Sequence, residues 1–273
     1  MLSKSGRSAM LCKKHGYAVA GMAIAILLGG AAARAAELRG EAISEEYRAK
    51  FRGCDETDQF GDVKLPIKKN GRTIWYACRT DPSRLERLER IGATGNAPEA
   101  VLFEAKLAHD LDGSPRACTT PGKTDQCGTS LMLKPTRDQP CPAALKKTSG
   151  KYCLPIDASK IAYIAVPGFG PRGMDGKAFG KKTNIALGDL GVVIANGKVV
   201  PVIVADYGPA YKIGEGSTAL LSKLSQGGDP RTIDAGVKYI VFPGTSMGRN
   251  MSADTLADDI AQKGMALYER LGK

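Results

Sequence analysis

Two β-branched runs joined by Asn196-Gly197 constrain this chain more than any other feature. Residues 191–195 and 198–205 are rich in Val, Ile and Ala, and the dipeptide between them is the strongest short-range signal for a type I′ turn. The sequence therefore predicts a β-hairpin. Its second strand is predicted to end at Asp206, because a Gly-Pro pair follows two residues later.

Two carboxylates, Asp206 and Glu215, come directly after this hairpin. On an unbroken strand their side chains would lie roughly 30 Å apart and on opposite faces. A chain reversal at the Gly-Pro pair removes that distance. Gly214 and Gly216 flank Glu215 with positions that accept positive φ or close approach. Paired carboxylates across a cleft are what hydrolysis of a glycosidic bond requires.

The same segment resembles glycoside hydrolase family 75, the fungal-type chitosanases. The matching residues are Asp-Tyr-Gly-Pro-Ala-Tyr-Lys-Ile-Gly-Glu, from Asp206 to Glu215. Similar stretches at 103–114, 161–167 and 237–244 extend the resemblance over about residues 100–248, and more weakly over 51–81. It implies an endo-acting hydrolase of β-1,4 bonds in chitosan, with Asp206 and Glu215 as the catalytic pair, an inverting mechanism and no cofactor.

The surroundings of the two acids favour a division of labour. Asp206 ends an apolar run whose burial would raise its pKa, which favours Asp206 as the general acid. Glu215, between two glycines, is favoured as the base that activates water. An inverting mechanism implies a carboxyl separation of roughly 6.5–9.5 Å. Without the resemblance, both residues would be interpreted as acids that cap a turn and a helix start.

A cationic polymer also requires a locally acidic groove. Because the family resembles the segment around Asp110 and Asp112, we expect these two residues to contact substrate amines, with Asp189 as a further acidic candidate. Tyr207 and Tyr211 flank the motif and are expected to line the sugar groove.

Other kinds of site are disfavoured by spacing. In a calcium loop starting at Asp110, Gly113 comes two positions early and Pro121 replaces the closing Glu. Zinc is disfavoured because no Cys-x2-Cys pair occurs and His109 is the only histidine after residue 35. The glycine pattern from Gly168 contains Pro171 where a dinucleotide site needs a helix. We therefore expect no metal and no cofactor.

Residues 1–35 have the pattern of a secretory signal peptide. A basic start precedes the apolar residues 18–33, and Ala33-Arg34-Ala35 offers a cleavage site. We therefore expect a secreted or periplasmic protein that is not held at a membrane after cleavage. The six cysteines that remain are expected to form disulfides between sequence neighbours, namely Cys54–Cys78, Cys118–Cys127 and Cys141–Cys153.

Much of the positive charge belongs to the signal peptide. Its loss removes five basic residues, so 34 basic residues face 28 acidic ones and the formal net charge falls from +11 to about +6. The basic residues are scattered and few aromatic residues are present to stack bases, which disfavours nucleic acid as a partner. We expect a monomer that binds a glucosamine polymer.

After the signal peptide, residues 36–98 are predicted to form an N-terminal disulfide-containing extension, with a short helix from Ser83 that places Leu85, Leu88 and Ile91 on one face. Residues 99–273 are predicted to form the catalytic domain. Its short strands and Gly-rich connections predict a mainly β fold, a barrel with peripheral short helices. The order of hairpin, Asp206, Gly-rich loop and short helix from Ser217 resembles the crossing segment of a double-psi β-barrel. A C-terminal helix capped by Ser252 completes it. A non-catalytic polysaccharide-binding or cell-wall-binding barrel and a peptidoglycan-active glycosidase remain as alternatives.

Overall fold

The Asn196-Gly197 turn joins two strands of a closed β-barrel. Both residues have positive φ, 52° at Asn196 and 73° at Gly197, as a type I′ turn requires. The predicted hairpin is therefore present. The computed structural model describes residues 40–45, 47, 51, 64–69, 72–77, 85–92, 97–119, 126–146, 150–169, 177–210 and 212–271.

Strands are the most frequent elements of the described residues, and the longest element is the C-terminal helix. In chain order the elements are β1 (Glu41–Ala42), β2 (Lys64–Lys69), β3 (Arg72–Ala77), β4 (Arg87–Ile91), β5 (Ala100–Asp110), α1 (Pro115–Thr119), β6 (Met132–Leu133), β7 (Leu154–Pro155), β8 (Tyr163–Phe169), α2 (Ala178–Thr183), β9 (Leu190–Ala195), β10 (Lys198–Pro209), β11 (Glu215–Ser217), α3 (Thr218–Leu224), a 3-10 turn (Gln226–Gly228), β12 (Ile233–Phe242) and α4 (Leu256–Leu271).

Six strands close the barrel in the order β5-β11-β8-β10-β9-β12, because β12 pairs back with β5. The pairs β5–β11 and β8–β10 are parallel, and the other pairs of the barrel are antiparallel. Outside the barrel, β4 pairs with β5 and β1 pairs with β4. The mainly β barrel with short peripheral helices and a C-terminal helix, predicted from the sequence, is confirmed.

The helix predicted from Ser83 is wrong, because the described part of this segment contains strand β4. Leu88 pairs with Phe103 and Ile91 with Ala100 in the antiparallel register with β5. Residues three apart on a strand point to opposite faces. Leu88 accordingly packs in the largest core cluster and Ile91 in a different one. Because β4 is buried on both faces, its apolar residues occur three positions apart, which is also the spacing of apolar residues on one face of a helix.

Helix α4 covers one side of the barrel with an apolar stripe of its surface. Leu256 and Ile260 are buried in one cluster with residues of β9 and β10. Leu271, at the other end of the helix, packs on a second cluster. The predicted cap at Ser252 is wrong, because the helix begins at Leu256. The hydroxyl of Thr255 donates to Asp259 Oδ2 in the first turn (2.9 Å).

Two of the three predicted cysteine pairs lie at bonding distance. Cys118 and Cys127 have Cα atoms 4.2 Å apart, and the Cα atoms of Cys141 and Cys153 are 5.3 Å apart. Both bridges close short loops beside α1, β6 and β7. The predicted Cys54–Cys78 pair and the predicted signal peptide lie outside the described residues. In the part of the chain that is described, no helix is long and apolar enough to cross a bilayer.

Candidate active site

The backbone places Asp206 and Glu215 on either side of one residue, Ala165 of β8. Asp206 is the parallel partner of Ala165 from β10, and Glu215 is its antiparallel partner from β11. Paired residues of neighbouring strands point to the same face, and strands are about 4.8 Å apart, so the two Cα atoms lie about 10 Å apart on one face. An inverting carboxylate pair needs a similar spacing, roughly 6.5–9.5 Å between carboxyl groups.

A β-bulge in β10 sets the position of Asp206. The predicted strand end at Asp206 is wrong, because β10 continues to Pro209. Its register against β8 shifts between Val204 and Asp206. The extra residue, Ala205, is fully buried in the apolar core. Bulges re-aim side chains in this way beside many active sites. Strand pairing on both sides of Ala165, rather than a loop alone, therefore holds the two acids.

A cavity of about 210 Å³ lies over Ala165. Its walls come from the end of β5 and the following loop, from the end of β10, and from the start of β11. The lining residues are His109, Asp110, Leu111, Asp112, Gln126, Ala165, Asp206, Tyr207, Gly208, Pro209 and Glu215. Four carboxyl groups thus share one small opening. Because Ala165 has only a methyl group, it leaves space between the carboxyl groups of Asp206 and Glu215.

Asp206 is almost fully buried, with 6 % of its surface exposed. One of its carboxyl oxygens accepts three hydrogen bonds. Oδ1 accepts hydrogen bonds from the Ser130 amide (2.9 Å), the Ser130 hydroxyl (2.5 Å) and the Tyr207 amide (2.7 Å). Burial raises the pKa of Asp206, while the hydrogen bonds from Ser130 and Tyr207 oppose that shift. These bonds fix the orientation of the carboxyl group.

Glu215 has a cationic neighbour and a tight steric position. Lys212 Nζ lies 3.5 Å from Glu215 Oε1. Burial raises the pKa of Glu215, and the charge of Lys212 opposes the rise. A Cβ atom at Gly208 would lie 2.9 Å from Glu215 Oε2. The glycine of the Asp-Tyr-Gly-Pro motif therefore leaves the space that this carboxylate occupies.

Asp110 and Asp112 are connected to each other and lie near Asp206. Asp110 Oδ1 accepts a hydrogen bond from the Asp112 amide (2.9 Å), and the Tyr163 hydroxyl donates to the Asp112 carbonyl (2.9 Å). The Asp112 and Asp206 side chains line the same cavity. Burial, together with the charge of Asp206, raises the pKa of Asp110 to about 6. Burial and the charges of Asp110 and Asp206 raise the pKa of Asp112 to about 9.

These raised pKa values predict that the protein loses stability as the pH rises. Above the ordinary value of 3.8 the unfolded chain releases the Asp112 proton, whereas the folded chain keeps it up to about 9. The free energy of unfolding therefore falls with pH in this window. We expect the Tm to fall by about 2–6 °C between pH 6 and pH 8.5.

Asp112→Asn removes this titration and should raise the Tm at pH 8.5 relative to the unsubstituted protein. The matched control is Asp234→Asn, an exposed residue of β12. Calorimetric scans across this pH range check the prediction, and a Tm that Asp112→Asn leaves unchanged at pH 8.5 would contradict it.

The other predicted substrate-binding residues lie in different places. Tyr207 lines the cavity, and its ring packs so closely on Gly168 that a Cβ there would lie 2.2 Å from it. Asp189 does not line this cavity. It is fully buried before β9, where Oδ2 accepts a hydrogen bond from the Ala186 amide (2.8 Å). The Asp189 carboxylate thus accepts a backbone hydrogen bond inside the fold and does not face the cavity. Tyr211 lies outside the described residues.

Sequence reasoning missed three residues of this site. Ser130 lies in a loop without a recognisable pattern, and only the fold brings its hydroxyl to Asp206. Gln126 lines the cavity, and its Oε1 is buried without a hydrogen-bond partner within the described structure. His109 lines the cavity, with Nε2 2.7 Å from the Thr218 hydroxyl. Its position next to Asp110 in the sequence was the one available signal.

The described residues contain no group of three or more His, Cys, Asp or Glu side chains arranged to hold a metal ion. Compared with known proteins, the chain matches no protein-family model and no curated protein. The chemical interpretation of the site therefore rests on its geometry. A cavity with four carboxyl groups, whose pKa values burial raises to different extents, is equipped to donate a proton and to accept one in the same reaction.

Proposed function

We propose that this protein is a glycoside hydrolase that cleaves β-1,4 bonds of chitosan or a related glucosamine polymer by an inverting mechanism. The observation that carries the proposal is the placement of Asp206 and Glu215 as the two strand partners of Ala165. The family 75 resemblance of the Asp206-to-Glu215 segment supports the same assignment. The pattern of a signal peptide and the two cysteine pairs at bonding distance support a secreted or periplasmic location.

In the proposed reaction the two acids act on opposite sides of the scissile bond. Asp206 delivers a proton to the glycosidic oxygen, and the bond from that oxygen to the anomeric carbon breaks. Glu215 takes a proton from the water that attacks this carbon. Lys212 supports this role, because its positive charge favours the ionised form that a base needs. The space over Ala165 accommodates the water between the two carboxyl groups.

The acidic cavity also supports a cationic substrate. Asp110 and Glu215 supply negative charge in a partly buried setting, where attraction to an ammonium group is stronger than in water. The Oε1 atom of Gln126, unpartnered within the described residues, supplies an acceptor for a sugar hydroxyl or ammonium group. A glucosamine unit carries both kinds of donor, whereas an N-acetylated unit lacks the ammonium charge.

The test is release of reducing ends from chitosan, chitin and peptidoglycan by the purified protein. We expect cleavage of chitosan, no cleavage of chitin, and inversion at the anomeric carbon of the first product seen by NMR. The Asp206→Asn protein, prepared in parallel, excludes a contaminating hydrolase. Cleavage of peptidoglycan but not chitosan would support the alternative glycosidase, and binding to chitosan without cleavage would support a binding barrel. Either result would contradict the proposal.

A further inference from the structure

Ser130 contacts Asp206 through both of its polar groups. Its amide and its hydroxyl reach the same carboxyl oxygen, Oδ1, at 2.9 and 2.5 Å, and the Tyr207 amide donates to that oxygen as well (2.7 Å). The Tyr207 amide also reaches the Ser130 hydroxyl oxygen (3.2 Å). Because an amide N–H only donates and a hydroxyl has one hydrogen, the Ser130 hydroxyl accepts from Tyr207 and donates its hydrogen to Asp206.

Three donors on one oxygen determine where Asp206 carries a proton. A carboxyl oxygen has two lone pairs, so three donors leave no room for a proton on Oδ1. A proton on Asp206 therefore resides on the other oxygen, Oδ2. Since the Asp206 side chain lines the acidic cavity, Oδ2 is the oxygen left to act on a bound substrate.

Backbone contacts on both sides of Ser130 hold its loop against β10. The Leu131 amide donates to the carbonyl of Ala205, the bulge residue of β10 (2.9 Å). The buried Thr129 hydroxyl donates to the Leu131 carbonyl (2.6 Å) and accepts from the Ile156 amide (3.0 Å). None of these contacts uses the Ser130 hydroxyl, so the loop keeps them when that hydroxyl is removed.

We propose that Ser130 is a positioning residue that directs the catalytic proton to Oδ2 of Asp206. This inference rests on the proposed hydrolase function and deepens it. In the reaction the O–H bond at Oδ2 breaks, and the proton moves to the glycosidic oxygen, which keeps the electron pair of the broken C–O bond. The attacking water gives its proton to Glu215. Asp206 then takes up one proton from solvent while Glu215 releases one, which restores the starting state.

The hydrogen bonds from Ser130 become stronger during this proton transfer. Negative charge develops on Asp206 as its proton leaves, and hydrogen bonds to an ionised acceptor are roughly twice as strong as those to a neutral one. The donors are already in place, so no reorganisation is needed when the charge appears. Ser130 therefore stabilises the transition state more than the bound substrate, and its loss should lower kcat with little change in KM.

Titration of Asp206 tests this role without any substrate. Ser130→Ala removes the hydroxyl donor and keeps both amides, and hydrogen bonds of this kind favour the ionised form of a carboxyl group. The midpoint of Asp206, followed by carboxyl-carbon NMR of the full protein, should therefore rise by about one pH unit. The other titratable groups that face Asp206 are unchanged in this variant, namely His109 and Asp110 on β5, Asp112 in the next loop, Tyr163 on β8, and Glu215 on β11 with Lys212 beside it.

Ser159→Ala is the matched control. The Ser159 amide (2.9 Å) and hydroxyl (2.6 Å) both donate to Oδ1 of Asp157, which is the same pair of contacts. Ser159 is exposed and does not line the acidic cavity, so its loss should leave the Asp206 midpoint unchanged. Ser130→Thr keeps a hydroxyl at the original position and should give the midpoint of the unsubstituted protein.

The rate profile on chitosan tests the use of this contact in catalysis. Activity should fall at alkaline pH as Asp206 loses its proton, so the raised pKa in Ser130→Ala should move this alkaline limb up by about one pH unit. At the optimum, kcat should fall about 10-fold with KM nearly unchanged. Ser130→Thr and Ser159→Ala should retain the original limb. A purely structural role for Ser130 would lower the Tm and the rate without moving the limb.

The possible outcomes separate the two proposals. An Asp206 midpoint that Ser130→Ala leaves unchanged overturns the positioning role, whatever the activity, and so does an unmoved alkaline limb in the folded variant. If Ser130→Ala does not fold, Ser130→Cys replaces it, because a thiol is a weaker donor and should shift the midpoint in the same direction. A shifted midpoint in a protein that cleaves no glycan contradicts the proposed function and leaves the positioning of Asp206 supported.

Discussion

Replacing Asp206 by Asn or Glu215 by Gln is expected to lower kcat on chitosan by about 10²- to 10⁴-fold each. In the proposed mechanism each substitution removes a proton donor or acceptor of the chemical step, so kcat should fall far more than KM changes. Initial rates of reducing-end release, measured over a range of chitosan concentrations, check this.

Both substitutions should leave the fold intact. In Asp206→Asn the side-chain oxygen can still accept the hydrogen bonds that Ser130 and Tyr207 donate. In Glu215→Gln the new side chain has the same shape as the glutamate. Circular dichroism and the Tm control for folding, and Asp234→Asn controls for the loss of a remote carboxylate. A variant that retains more than about a tenth of the activity would remove its residue from the catalytic pair.

Gly214→Ala is expected to destabilise the protein by at least about 3 kcal/mol. Gly214 has φ of +85°, and an added Cβ would lie 2.2 Å from the carbonyl oxygen of Lys106. The clash is with backbone of β5, which cannot rotate away. The Gly214 carbonyl also accepts a hydrogen bond from the Ala108 amide (2.7 Å), so any shift of this residue disturbs the pairing of β11.

Gly197→Ala provides the matched control for this substitution. Gly197 has a similar φ of +73°, but no atom of the described residues lies within 4 Å of an added Cβ. It should therefore lose only about 1 kcal/mol, from backbone strain. Urea unfolding of both variants measures the difference. Equal losses would show that strain, rather than contact with β5, makes glycine necessary at position 214.

Local signals predicted the parts of this fold that depend on neighbours in the chain. The Asn196-Gly197 turn and the short helix after Ser217 were readable because each depends on a few adjacent residues. Ser217 caps that helix through a hydrogen bond from the Leu220 amide (3.2 Å). Strand β4 was not readable, because the burial of Leu88 and Ile91 on two faces depends on β5 and α4.

In the site, too, the sequence predicted what depends on adjacent residues and missed what depends on distant contacts. The Asp206-to-Glu215 motif identified two acids. Their pairing with the same residue, Ala165, depends on the closure of the barrel and could not be read from the motif. Ser130 carried no signal, because its role comes from a contact made across many residues of the chain. Asp189 looked like a groove acid, since composition cannot distinguish a carboxylate that faces solvent from one that accepts backbone hydrogen bonds.

The insertion of β11 between β5 and β8 ties the proposed activity to the order of folding. This strand is only three residues long and carries Glu215, and its partners Ala108 and Ala165 come from distant parts of the chain. Non-local pairings of this kind form late and slowly, because a large loop must close before they contribute. A chain with an open barrel contains every acidic residue but does not hold Glu215 beside Ala165. Recovery of activity after denaturation thus reports barrel closure directly.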